Sequence, residues 1–274
     1  MSARLPLSFV RVENSFIPVP GIGETTERRL WRAGVTHWDH FNGPAVKGVG
    51  PTRAERIAHF IDEARDRLDA GDARFFADSL PSGSRWRLFR NFDAAACYLD
   101  IETTGLSPGY HEVTTVSLHR DGETTTLIRG QDLTGPRLAS ELADSGLLVT
   151  FNGAQFDVPF LERAFDLRVE TPHVDLRYPC NRVGLSGGLK NIERDLGIGR
   201  DRPDIDGREA VRLWHRYEAG DETALETLVS YNREDTRNLA DVADAVVDRL
   251  HEQVFERAVR GDGMEDRTDD GGEI

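Results

Sequence analysis

The sequence is short of cysteine, of lysine and of long apolar runs. Its two cysteines, Cys97 and Cys180, are too few for a disulfide framework and lack metal-site spacing, so both are expected as buried thiols. No apolar run nears the roughly 20 residues that span a bilayer. The first residues, MSARLPLSFVRVENS, carry no signal-peptide-like apolar stretch. These absences predict a soluble, cytoplasmic protein without a membrane partner. Lysine occurs only at Lys47 and Lys190, so 32 of the 34 basic residues are arginines. An arginine bias beside a net charge of -14 is a pattern of halophilic proteins from a high-salt cytoplasm. At molar salt the Debye length falls to roughly 3 Å, so an acidic surface does not exclude a polyanionic partner.

What is present divides the chain. Residues 1–90 carry 14 Lys/Arg against 11 Asp/Glu, whereas residues 91–274 carry 20 against 37. At 274 residues and 38% hydrophobic content, the chain can bury one substantial core and add a small accessory domain. Residues 16–68 read as helices joined by Gly-rich turns, with two related passages, PGIGETTERRLWRAGV from Pro20 and KGVGPTRAERIAHFI from Lys47. In each, a Gly-x-Gly turn (Gly21 and Gly23, Gly48 and Gly50) precedes an amphipathic helix. The stretch 73–92 reads as a connection, with a turn signal at Pro81-Ser82-Gly83-Ser84. Three regions are expected: a helical region over 1–90, an α/β domain over 91–255 and a disordered acidic tail over 256–274. In the second, strands and helices alternate, which predicts a mixed sheet flanked by helices.

The sharpest signal is YLDIETTGLSP, residues 98–108. Side chains two apart on a strand share a face, so Asp100 and Glu102 stand side by side. Two such carboxylates repel each other and lose solvation unless a cation sits between them. Mg²⁺ or Mn²⁺, hard ions that prefer oxygen, would do this. Asp157 follows an apolar strand in FNGAQFDVPFLERAF, at a strand-to-helix junction where Asn152 and free backbone N–H groups suit a phosphate or a terminal sugar. In SYNREDTRNLADV, Tyr231 and Asp235 lie four apart on one helical face. Taken singly, Asp157 also reads as a helix-dipole charge and Asp235 as a solvated position. Asp175 and His173 read as structural hydrogen-bonding groups; Lys190 and Asn191, at a predicted helix start, are placed to touch phosphate but stand outside the catalytic set.

The series DIETTGL, NGAQFD and YNRED resembles the three motifs of the DEDD (DnaQ-like) exonuclease superfamily, in its tyrosine subclass. Over roughly residues 85–250 the chain is similar to the YprB-like RNase H-like family. The resemblance implies an RNase H-like domain acting as a 3′-to-5′ exonuclease on single-stranded DNA or RNA. Asp100, Glu102, Asp157 and Asp235 would hold two divalent cations, and Tyr231 would orient the attacking water. Thr103, Leu106, Asn152 and Phe156 would contact substrate, with Leu106 either a wedge against a terminal base or a core residue. The N-terminal passages resemble tandem helix-hairpin-helix motifs, which implies backbone contacts to nucleic acid at Gly21, Gly23, Gly48 and Gly50; the same glycines also suit plain interhelical turns. An endonuclease on the same metals and a catalytically silent nucleic-acid-binding module are the competing readings.

Overall fold

In the computed structural model, residues 10–43 and 46–262 are described. The first helices are α1 (Glu24–Arg32) and α2 (Pro51–Asp69), each entered from a glycine. Gly21 and Gly48 hold positive φ angles of 86° and 92°, a conformation that glycine adopts without steric cost. Ile22 and Val49, the middle residues of the two turns, are buried. The stretch read as a connection is instead largely helical and packed: α3 (Ala73–Ser79), a 3-10 segment over Ser82–Leu88 and α4 (Phe89–Phe92). Phe76, Trp86, Leu88 and Phe89 are all at most 1% exposed, so this stretch supplies core.

The sheet has five strands in the order β3-β2-β1-β4-β5. They are β1 (Ala96–Thr103), β2 (Val113–Arg120), β3 (Glu123–Ile128), β4 (Leu147–Thr150) and β5 (His173–Asp175). β1 pairs antiparallel with β2 and parallel with β4, so the sheet is mixed and β1 is central. Between the strands and after them run α5 (Gly135–Ala143), α6 (Asp157–Phe165), α7 (Arg177–Arg182), α8 (Leu189–Leu196), α9 (Gly207–Glu218), α10 (Glu222–Leu250) and α11 (Arg257–Arg260). A π-helical turn over His251–Glu256 joins α10 to α11. Helical structure thus continues past the expected start of the tail; residues 263–274 lie outside the described residues.

The two faces of β1 differ in chemistry because of its period of two. Leu99 and Ile101 join Val116, Leu118, Leu138, Phe160 and Leu161 in one apolar cluster. The opposite face carries Asp100 and Glu102, registered against Ser117 and Thr115 of β2, and α10 packs there through Asn232. A second apolar cluster joins the N-terminal helices, Leu147 and Val149 of β4, and Leu239 to Leu250 of α10. No helix among the described residues is long and apolar enough to cross a membrane.

Candidate active site

The strand alternation that buries Leu99 and Ile101 leaves Asp100 and Glu102 half-buried beneath α10. One carboxylate oxygen from each of Asp100, Glu102 and Asp235 lies within 4.8 Å of the others. Both strand carboxyls are held well above the ordinary carboxylate range, first by burial and then by the charges of Asp235 and Asp157. An all-oxygen donor set, crowded and only partly offset by Arg200 on Asp235 and Lys190 near Glu102, fits a hard divalent cation. Nitrogen and sulfur donors are absent from it, which disfavours softer metals.

Asp157 is the first residue of α6 and is 4% exposed. Its carboxyl is pushed up to about 7 by burial, which nearby backbone N–H groups oppose. It bears electrostatically on both strand carboxylates while standing outside the three-oxygen group. α10 presents Tyr231 and Asp235 one turn apart, both buried. The Tyr231 hydroxyl faces Asp235 and favours its charged form. Burial and the surrounding carboxylates push the phenol far up, so it stays protonated. Asp235 rises to about 6 by burial, opposed by Arg200.

Asn232 and Arg200, which the motif reading passed over, and Asp175, read there as structural, complete the arrangement. Asn232, fully buried, donates from Nδ2 to Asp100 Oδ2 at 2.7 Å and accepts from Thr115 Oγ1 at 2.9 Å. That fixes the Asp100 carboxylate and leaves Oδ1 without a protein donor among the described residues. An asparagine in mid-helix is disfavoured by propensity, and that was the available signal. Arg200 spans Glu193 and Asp235 with its two Nη groups. Asp175 accepts from the backbone N–H groups of Asn152, Ala154 and Arg177 at 2.7, 3.1 and 3.0 Å, which sets the loop before α6.

The expected substrate residues fall into two groups. Leu106 is 82% exposed and is no core residue. With Phe156, Thr103 and Glu102 it lines a cleft of about 700 Å³, whose other wall is Arg208, Val211 and Arg212 of α9. Two side chains are already engaged: Thr103 Oγ1 donates to Gly105 O at 2.6 Å, and Asn152 Oδ1 accepts from Arg177. The site loops are closely built, since a Cβ at Gly105 would overlap the His111 ring and one at Gly153 the Thr150 side chain. The N-terminal turns lie near arginines from each other's repeat, with Arg53 Nε facing Gly21 and Arg29 Nη1 facing Gly48.

No curated protein matched the sequence. Among solved structures, one described as the apo form of the nuclease is 24% identical, with a TM-score of 0.45 over 62% of this chain and 82% of its own. NrnC of Brucella melitensis bound to pGG is 20% identical, with a TM-score of 0.44 over 63% of this chain and 82% of its own. The family B DNA polymerase of Pyrobaculum calidifontis is 18% identical, with a TM-score of 0.48 over 60% of this chain but only 27% of the polymerase. A family model for the RNase H superfamily matches residues 97–247, more than half of the sequence and all of the carboxylates described above, and the chain therefore belongs to the RNase H superfamily.

Proposed function

We propose that this protein is a metal-dependent nuclease that hydrolyses phosphodiester bonds of DNA or RNA, as a 3′-to-5′ exonuclease of the tyrosine DEDD subclass and the YprB-like group. The observation that carries this is the convergence of Asp100, Glu102 and Asp235, with Asp157 beside them and the Tyr231 hydroxyl facing Asp235. Asp100, Glu102 and Asp235 would hold one divalent cation, and Asp157 would support a second beside Asp100. Bound there, Mg²⁺ or Mn²⁺ supplies the charge that activates water for in-line attack and stabilises the leaving 3′-oxygen. Tyr231, protonated and facing Asp235, orients the attacking water. Asn232 holds Asp100 in one rotamer, so the carboxylate needs no reorganisation as charge develops. Leu106 and Phe156 hold the terminal base in the apolar cleft, and no covalent nucleophile is needed.

Residues 1–90 form the nucleic-acid-gripping part in this proposal, through helix-hairpin-helix-like turns at Gly21, Gly23, Gly48 and Gly50, and residues 91–255 form the catalytic domain. The test uses 5′-labelled single-stranded DNA and RNA oligonucleotides with Mg²⁺ or Mn²⁺, at low and at molar salt. The expected result is a ladder shortening from the 3′ end that Asp100→Ala abolishes. Cutting of covalently closed single-stranded circles would instead establish an endonuclease.

A further inference from the structure

A second cleft, of about 540 Å³, is lined by Lys190, Asn191 and Arg194 of α8 and by Arg200 and Pro203 of the following loop. Two of its cations share one aromatic ring with the carboxylate cluster. Lys190 Nζ lies 5.1 Å and Arg200 Cζ 5.6 Å from the centre of the Tyr231 ring, while the Tyr231 hydroxyl faces Asp235. The ring thus stands between the cleft and the carboxylates.

Lys190 has donors to spare. Lys190 forms no ion pair among the described residues, and its nearest acceptor is the Pro203 carbonyl at 3.5 Å, the outer limit of a hydrogen bond. An ammonium has three N–H donors. Arg200 is 6% exposed; its two Nη groups hold Glu193 and Asp235, but its Nε is buried without an acceptor. Buried donors are rarely left unmatched, and water or an ion commonly supplies the partner. Donors of this kind, charge-assisted and beside a site for phosphodiester chemistry, suit anionic oxygen.

We propose that this cleft seats a phosphate of the bound strand next to the one being cleaved, with Lys190 Nζ donating to its non-bridging oxygens and the Arg200 guanidinium adding positive charge to the wall. This rests on the nuclease reading above. The apolar cleft takes the terminal base and the basic cleft takes the backbone, so the strand is fixed on both flanks of the carboxylates. Lys190 is one of only two lysines in an arginine-rich chain, and its three rotatable donors suit a phosphate that must arrive and leave.

The test is binding of a short fluorescein-labelled single-stranded oligonucleotide, followed by anisotropy across a salt series. EDTA is present throughout the salt series, so that neither cleavage nor metal affinity enters. Lys190→Gln should weaken binding on the order of tenfold and reduce the magnitude of the log K against log salt slope by about 0.7, while Lys190→Arg keeps both near wild type. A neutral methylphosphonate walked along the strand should weaken the wild type at one position and add nothing there to Lys190→Gln. If Lys190→Gln binds with the wild-type affinity and slope, or if the two effects simply add at every position, the phosphate seat is wrong and the nuclease reading stands. If the wild type binds no oligonucleotide even when Ca²⁺ replaces EDTA, both are wrong.

Discussion

Asp100 is the residue on which the site turns, and its position depends on a partner 132 residues away. Asn232 bonds it at 2.7 Å and is itself held by Thr115. Removing the amide leaves Asp100 free to rotate within a repulsive cluster. Asn232→Ala is expected to lower metal affinity or activity by roughly 10- to 100-fold, the usual cost of losing a ligand's supporting hydrogen bond; Mn²⁺ titration by calorimetry reads the first and oligonucleotide cleavage the second. A residue that only filled space would leave the metal affinity unchanged. Charge crowding at the same carboxylates makes another expectation. In metal-free protein at pH 8, Asp100→Asn relieves repulsion of order 1–2 kcal/mol and should raise Tm by about 2–8 °C. Wild type should gain more Tm from Mg²⁺ than that variant does. A lower Tm for Asp100→Asn would show that the cluster is not strained. The strand pair was readable from the sequence because alternation on β1 fixes which residues share a face. Asn232 and Arg200 were not, since their partners are brought together only by the packing of α10 and the loop before α9.

At the scale of elements, the seam between β4 and β5 positions the loop that leads into Asp157. Thr150 Oγ1 lies 2.8 Å from His173 Nε2, and Asp175 collects the backbone N–H groups of the loop. Burial drives the His173 ring down to about 4, so it is neutral in the folded protein. The unfolded chain protonates it below about 6.5. Between these values the unfolded state binds more protons, and stability therefore falls as pH drops from about 6.5 towards 4. Urea denaturation at pH 7 and pH 5 should show a loss in wild type that is smaller in His173→Gln; equal losses would remove His173 as a contributor. The strand and helix positions here were legible from apolar periodicity, and both residues read as structural in the sequence. The stretch 73–92 was not legible, because its Pro-Ser-Gly-Ser turn hid an aromatic run whose Phe76, Trp86 and Phe89 are buried.

At the scale of the whole molecule, the N-terminal helices are tied in by chemistry as well as by apolar contact. Arg87 and Glu27 form a bidentate pair with side-chain exposures of 0% and 1%, and Glu27 also accepts from Ser15 and the Phe16 backbone. At the other end, the Val10 backbone N–H donates to His251 at 3.0 Å, and Trp31 meets Phe255 edge-on at 5.0 Å. Removing one member of a buried pair strands the other charge, so Arg87→Met should cost about 3–5 kcal/mol, and adding Glu27→Leu should recover part of it. Chemical denaturation of the two variants checks this; a double variant worse than the single one would contradict it. The acidic balance seen in the sequence weighs little against the proposed function at this scale, since basic side chains gather locally: Lys190 and Arg200 line one cleft, Arg208 and Arg212 the other.

The central claim, that the carboxylates of β1 and α10 hydrolyse phosphodiesters with a divalent metal, is tested most directly by one rate. The cleavage of a 5′-labelled single-stranded oligonucleotide in Mn²⁺ is compared between wild type and Asp100→Asn. Loss of a principal metal ligand should reduce the rate by at least about 10³-fold, a barrier increase of roughly 4 kcal/mol, with the variant still folded by thermal melt. Equal rates in the two proteins, or rates in wild type that EDTA leaves unchanged, would contradict it.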